Sequence, residues 1–179
     1  DARHLSADLD VPGGLRLHNF YVPAGGDEPD PDVNEKFGQK LAFLREMTAW
    51  YESQRAGRNR MVLVGDLNVA PLEHDVWSHR QLLNVVSHTP VEVALMNELI
   101  ASHDWVDVMR RFVPETEKLY SWWSYRAKDW AASDRGRRLD HVWVTPALAD
   151  TAASMQVLKE ARGWERASDH APVIVTLRL

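Results

Sequence analysis

The sequence predicts an α/β or α+β sandwich built as one domain, and three observations carry that expectation. Residues 35–55 repeat apolar side chains at three- and four-residue steps, the period of an amphipathic helix. Met61-Val62-Leu63-Val64 is a short continuous apolar run with the length and composition of a buried strand. Ala171 to Leu179 is rich in Val and Ile and reads as a further strand. Nothing in the pattern between them divides the chain, so residues 1–179 are read as a single domain.

The elements follow in order. Leu15 to Val22 reads as a strand, bracketed by Pro12-Gly13-Gly14 and Pro23. Gly25 to Asp32 is an acidic, Gly/Pro-rich solvated connector. The helix from Glu35 to about Arg55 places Phe37, Leu41, Leu44, Met47 or Thr48, and Tyr51 on one face, and Gly57 is its natural stop. The strand at Met61 to Val64 runs into Gly65-Asp66-Leu67-Asn68, and Pro71 ends any continuation. Val91 to Ser102 fits a second helix, and Trp105 to Phe112 a short strand or turn with a helical piece. Tyr120 to Tyr125 is aromatic and alternating. Arg138 to Val144 reads as a strand with Leu139, His141 and Trp143 on one side and Asp140, Val142 and Val144 on the other. Ser154 to Glu160 fits one more strand.

Composition removes whole classes of function. Apolar residues at 45% against 26% charged give enough core to exclude disorder as the main state. No run approaches the apolar length of a bilayer-spanning helix, so no membrane partner is expected. Cysteine is absent, which excludes a disulfide scaffold, a thiolate zinc site and a cysteine nucleophile. Any metal must then be held by oxygen or imidazole, and oxygen ligands favour Mg²⁺, Mn²⁺ or Ca²⁺. A net charge of −5 excludes a globally basic coat but leaves room for a local basic groove. The opening Asp1-Ala2-Arg3-His4 has no initiator Met and no signal-peptide pattern, so the chain is read as processed or as a piece of something longer. Together with the lack of cysteine, this leads to an expected cytoplasmic location.

Polar residues that interrupt apolar runs are the candidate chemistry. Asp66 and Asn68, two apart, would share a face if the strand continued, and a carboxylate beside an amide suits a hard cation, a phosphate oxygen or a water. Gly-Asp-x-Asn is equally good turn chemistry. Asp169-His170, just ahead of the last strand, fits a metal carboxylate with a phosphate-facing imidazole, or else a loop-capping pair. Asp140 lies inside an apolar strand and needs a partner, either a histidine that it holds in one tautomer or a nearby arginine such as Arg137 or Arg138. His141 points away from Asp140 and reads as packed or superficial. The window Arg126 to Arg138 carries five basic residues against two acidic ones directly after Trp122-Trp123. That mixture suits a phosphate backbone with a base or sugar on a ring, or a solvated loop beside core tryptophans.

Taken together, Asn19-Phe20-Tyr21-Val22-Pro23, Gly65-Asp66-Leu67-Asn68, Tyr120-Ser121-Trp122-Trp123-Ser124-Tyr125-Arg126, Arg138-Leu139-Asp140 and Ser168-Asp169-His170-Ala171-Pro172 stand in an order that resembles the exonuclease III family of apurinic/apyrimidinic endonucleases, within the endonuclease/exonuclease/phosphatase superfamily. The resemblance runs over essentially the whole chain. It implies a four-layer α-β-β-α sandwich and Mg²⁺-dependent (or Mn²⁺-dependent) hydrolysis of double-stranded DNA. Cleavage is implied 5′ to abasic sites, together with removal of nucleotides from 3′ ends. By position it implies that Asp66 orients or deprotonates the attacking water, that Asn68 and Tyr21 contact the scissile phosphate, and that His170, partnered by Asp140, contacts it too. Asp169 is implied as the metal-side carboxylate, with Asp66 and Asn68 beside the metal. Trp122 and Leu139 would line the pocket for a flipped abasic sugar, and Arg126 would face DNA.

Two departures accompany the likeness. Ala24 stands where the family usually places an amide after Tyr-x-Pro. The family's first sheet portion, with its Asn motif and metal-binding Glu, has no counterpart here, so the chain is expected to be the C-terminal two-thirds of the fold. On its own it is expected to be unstable, self-associating or nearly inactive, and at full length a monomer. A phosphatase or lipid phosphodiesterase of the same superfamily would use the same Asp66, Asn68, Asp169 and His170, and the Trp122 to Arg138 region favours DNA over both. A catalytically dead module that binds DNA or a protein is the reading from another class.

Overall fold

A computed structural model describes residues 2–55 and 60–179. The chain opens with a hairpin, β1 (His4–Leu9) against β2 (Leu15–Tyr21), and then enters helix α1 (Glu35–Glu52) and strand β3 (Met61–Asp66). A long connection carrying the single-turn α2 (His79–Leu82) leads to helix α3 (Pro90–Ser102). Short pieces follow: β4 (Val106–Asp107), α4 (Val108–Phe112), β5 (Trp122–Trp123), α5 (Trp130–Ser133) and β6 (Gly136–Arg137). The chain ends with β7 (Asp140–Val144), β8 (Ala152–Val157) and β9 (Val173–Leu177).

The central sheet has the order β1-β2-β3-β7-β4, with β2 and β3 parallel and the remaining pairs antiparallel. Alternation along its strands sorts the core into two halves. Phe20, Met61, Leu63 and Trp143 pack under α1 and α3 with Phe37, Leu41, Leu44, Leu95 and Leu99. Leu15, Leu17, Val62, Val64, Val142 and Val144 face the other way, onto Met155, Val157, Val173 and Val175 of the β8–β9 ribbon. The described residues thus build a helical layer, a full sheet and part of a second sheet. The predicted side assignments along Arg138 to Val144 hold, although pairing within that strand starts only at Asp140.

Helix boundaries follow capping chemistry. Asn34 accepts from Lys36 N and donates through its amide to the carbonyls of Gly25 and Glu28, so it starts α1 and pins the acidic connector at once. Thr89 and Glu92 form a reciprocal capping box, with Pro90 in the first turn of α3. The predicted stop at Gly57 lies outside the described residues. The opening segment, which the sequence pattern left unassigned, forms strand β1; it is exposed along its whole length and held by β2, so it has no buried face to leave a pattern. Two expectations are corrected. The strand predicted over Ser154 to Glu160 stops at Val157, and the chain turns into a 3₁₀ segment, Lys159–Gly163. Aromatic alternation over Tyr120 to Tyr125 gives only the two paired residues Trp122 and Trp123.

His141 is fully buried, the packed alternative of its two predicted fates. Its Nδ1 faces an Arg138 N–H at 3.2 Å and its Nε2 faces the Val69 carbonyl at 2.8 Å. A guanidinium only donates and a carbonyl only accepts, so the ring is neutral with the proton on Nε2. Burial, then the Arg138 charge, push its pKa down to about 4. His18, buried beside Phe20 and Tyr51, is also pushed down to about 4, chiefly by burial. The unfolded chain therefore takes up these protons first. The contribution of these two histidines is complete above about pH 6.5 and is expected to be lost as pH drops from there through 4, by about 3 kcal/mol from His141 alone, which outweighs the opposite and smaller effect of the raised Asp66 carboxyl once His18 is added. Urea titrations at pH 7.5, 6 and 4.5 check this: a midpoint that stays constant across the series would contradict it.

Candidate active site

Strand register builds the site. Tyr21 on β2 lies opposite Asp66 on β3, and Asp66 lies opposite Asp140 on β7. All three share the parity of the residues facing β8–β9, so a phenol and two carboxylates form a row across one end of the inter-sheet face. Gly65 is what permits this close strand pairing. At φ 140°, a Cβ there would stand 1.9 Å from the Phe20 carbonyl oxygen.

Asp66 and Asn68 come together, but not by strand alternation. The strand ends at Asp66, and Asn68 adopts a left-handed conformation at φ 54°. Asp66 Oδ1 accepts from Asn68 N at 3.0 Å, and the Asn68 carboxamide donates to Asp66 Oδ2 at 3.1 Å and to the Val22 carbonyl at 2.9 Å. The turn alternative and the site alternative are the same object: the turn is what sets the amide beside the carboxylate.

His170 arrives from the other end of the chain. Trp123 N binds the Asp169 carbonyl and Ala171 N binds the Ser121 carbonyl, while Ser121 Oγ accepts from Leu139 N and Asp140 N. These bonds set Asp169-His170 against the start of β7. His170 Nδ1 then meets Asp140 Oδ2 at 2.8 Å, and its Nε2 faces Asp66 Oδ2 at 3.8 Å. Asp140 thus takes the histidine of its two predicted partners. Arg138 turns inward to Asp75 and Asp107, and Arg137 donates to the Val86 carbonyl and Ser87 Oγ.

The electrostatics follow. Burial and the neighbouring Asp140 charge push the Asp66 carboxyl up to about 6, against the pull of His170, the Asn68 N–H and Lys40. Burial would lower His170, but the hydrogen bond to Asp140 and the charges of Asp140, Asp66 and Asp169 raise it above its usual value. Asp66, Asp140 and His170 each bring a ligand atom within 4.8 Å of the others. Two carboxylates whose mutual repulsion raises a pKa are a donor set that a hard divalent cation relieves, so these residues fit such an ion. Asp169 stands on the same cleft outside that trio, its Oδ2 accepting the Trp122 indole N–H at 2.9 Å.

The trio opens into a cleft of about 820 Å³. Tyr21, Asn68, Trp122, Leu139, Arg126 and Asp169 all line it, so every predicted site residue except Asp140 borders the cleft directly, and Asp140 reaches it through His170. Trp122 and Leu139 belong to one apolar cluster, while Trp123 is core. Arg126 is exposed at the rim. No glutamate is among the described residues lining the cleft. Trp77, Val85, Val86 and Ser87 line the cleft and escaped the sequence reading, and Arg137 of the basic window stands in its wall. Arg137 lies over the Trp122 ring at 5.3 Å, and Arg135 over Trp77 at 4.6 Å. The basic window signalled both arginines, but nothing local marked Trp77 or Ser87 as their partners.

Comparison with known proteins identifies the family and the fold. The profile of the Endonuclease/Exonuclease/phosphatase family matches residues 2–170. Exodeoxyribonuclease III of Haemophilus influenzae is 28% identical over 178 residues, covering 96% of this chain and 65% of that protein. An exodeoxyribonuclease of Bacillus subtilis is 31% identical over 121 residues, covering 66% of this chain and 45% of that one. Among solved structures, an AP endonuclease from Archaeoglobus fulgidus superposes with a TM-score of 0.88 at 28% identity, covering 99% of this chain and 65% of that chain. A 3′-5′ exonuclease from Neisseria meningitidis does so at 0.86 and 27%, with the same coverage. The chain spans about 65% of the length of the Haemophilus relative. With a tyrosine and two aspartates at one end of a five-stranded sheet, a histidine brought against them, and the family model matched over residues 2–170, the chain belongs to the endonuclease/exonuclease/phosphatase family, where its kin are the exonuclease III apurinic/apyrimidinic endonucleases.

Proposed function

We propose that this chain carries the phosphate-handling part of a divalent-metal-dependent DNA repair nuclease, which hydrolyses phosphodiesters 5′ to abasic sites and removes nucleotides from 3′ ends of duplex DNA. The observation that carries the reading is the meeting of Tyr21, Asp66, Asn68, Asp140 and His170, from far-apart stretches of chain, on one cleft shared with Trp122 and Leu139. Asp66, raised to about 6, is still largely ionised at neutral pH and is a stronger base than an ordinary carboxylate, which suits it to take a proton from water. Asn68 and Tyr21 present an amide and a phenol to a phosphate oxygen. Asp140 holds His170 charged, and that imidazolium offsets the negative charge that grows on the phosphoryl oxygens. Mg²⁺ or Mn²⁺, held by Asp66 and Asp169 together with Asn68, would add Lewis-acid stabilisation of that same charge. An abasic sugar has no base to unstack, so Trp122 and Leu139 can receive it at low cost.

The single domain proposed here is the C-terminal two-thirds of the family fold. The fully exposed β1 and the 65% coverage of the relatives support this. The 179-residue chain alone is therefore expected to self-associate and turn over slowly, and a soluble monomer with full activity would overturn that. In the protein carrying the whole domain, a panel of abasic duplex, 3′-ended duplex, inositol phosphates and sphingomyelin tests the substrate. Cleavage of the two DNA substrates with Mg²⁺, lost on chelation and restored by the ion, is expected. Turnover of the inositol phosphates or sphingomyelin alone would replace the nuclease with the phosphatase or lipid reading.

Asp140→Asn tests the charge on His170. Removing the carboxylate is expected to lower the His170 pKa from its raised position, and turnover at pH 7.5 by about 10²-fold. An NMR titration of the His170 ring reads the first and steady-state cleavage the second. A His170 pKa that is the same in the variant as in the parent would remove Asp140 from this role.

A further inference from the structure

The apolar face of α1 contains a lysine. Lys40 sits one step from Phe37 and Leu41 and is fully buried, as is its ion-pair partner Glu92 on α3. A buried ion pair generally contributes little net stability compared with a well-packed apolar pair of the same volume. The contacts of this pair point elsewhere. Lys40 Nζ donates to the Asn68 carbonyl at 2.7 Å and to the Ala24 carbonyl at 3.3 Å. Those carbonyls belong to the two segments that leave β2 and β3 at the site: one follows Tyr21, the other follows Asp66. Glu92 accepts from Ser87 N at 2.9 Å and from Thr89 N at 3.1 Å. Ser87 Oγ in turn accepts from Arg137, which lies over Trp122.

Both ends of this network hold strained backbone. Asn68 stands at φ 54° and Ser87 at φ 89°, and neither is glycine. A left-handed conformation at a residue other than glycine persists where its surroundings fix it. Here the fixing groups are Lys40 for Asn68 and Glu92 for Ser87.

We propose that Lys40 and Glu92 form a positioning pair for the site: one buried ion pair sets the Asn68 amide on one wall of the cleft and the Ser87–Arg137 arm on the other. Lys40 touches no reacting atom. It acts by clamping the carbonyls of Asn68 and Ala24, so the carboxamide beside Asp66 and the segment after Tyr21 keep a fixed spacing. This rests on the proposed phosphodiester chemistry only for its kinetic readout.

The test is Lys40→Met combined with Glu92→Gln in the protein carrying the whole domain. The double variant leaves neither half of the ion pair buried alone, and the glutamine oxygen can still accept from Ser87 or Thr89; it removes the carbonyl clamp and, with it, the charges that Asp66 feels from Lys40 and Arg137 feels from Glu92, so the Asn68 position is read beside kcat. The expected result is a kcat for abasic-duplex cleavage reduced about 30-fold, a duplex Kd within threefold of the parent, and a displaced Asn68 side-chain amide resonance. A kcat within twofold of the parent with an unmoved Asn68 resonance overturns the proposal. Should the double variant fail to fold, Lys40→Arg keeps the charge but spreads its donors in a plane. It is expected to show the same kcat loss and the same Asn68 displacement, and unchanged values of both would overturn the proposal. A parent that cleaves no duplex defeats the nuclease reading instead, and the Asn68 resonance then decides the pair's role by itself.

Discussion

Asp66→Asn is expected to abolish cleavage, with kcat lowered about 10³-fold or more and duplex binding kept within a few-fold. The substitution keeps the shape and removes the base. In the parent, Asp66 is buried beside Asp140, and its raised pKa is the cost of holding two carboxylates in one row. In the proposed role, that cost makes it a stronger proton acceptor near neutrality than an ordinary carboxylate. The asparagine cannot accept a proton, and it also relieves the repulsion with Asp140, so a stable protein with empty turnover is the signature. Single-turnover kinetics with abasic duplex, alongside equilibrium binding, separate the two effects. Retained turnover would remove Asp66 from water activation. A loss confined to binding would make it a substrate ligand.

Arg138→Met is expected to be the most damaging single change to stability, about 3–5 kcal/mol. That is a large part of the 5–15 kcal/mol that typically holds a domain together. Arg138 is fully buried, and its fork meets Asp75 at 2.7 and 2.8 Å while its remaining arm reaches Asp107 at 2.6 Å. Asp75 is itself fully buried and also accepts from Arg110 and Leu72 N. Burial alone would raise its carboxyl, yet the two guanidinium groups hold it below the usual carboxylate range. Methionine fills the space but strands Asp75 with one cation and removes the donor that His141 faces. Urea denaturation measures the loss. Arg111→Ala, at an exposed pair with Asp150, is the comparison and is expected to change nothing measurable. A loss under 1 kcal/mol for Arg138→Met would mean that the network relaxes around the missing arm.

The same arginine shows where sequence pattern stops. Periodicity located α1, α3, β2, β3, β7 and β9, because each buries one face or both and the apolar residues must then recur at the helical or strand period. The ordered motifs that carry the family resemblance single out Tyr21, Asp66, Asn68, Asp140, Asp169 and His170, and alternation along β7 puts Asp140 on the side of Val142 and Val144; that these residues converge is a fact of the fold. Three things were left to the tertiary structure. A period reports burial, so β1, exposed along its length and held by backbone pairing, had no signature. A period does not say which charges meet. Arg138 stood in a basic window beside two tryptophans and became a core residue, because its partner Asp75 lies 63 positions away in sequence. And Lys40, one cation in an apolar stripe, gains its meaning only when Glu92, Asn68 and Ala24 are brought around it. Hydrophobic burial depends on each residue's own chemistry and can be read along the chain, whereas pairing energy depends on distance through space, which only the fold sets.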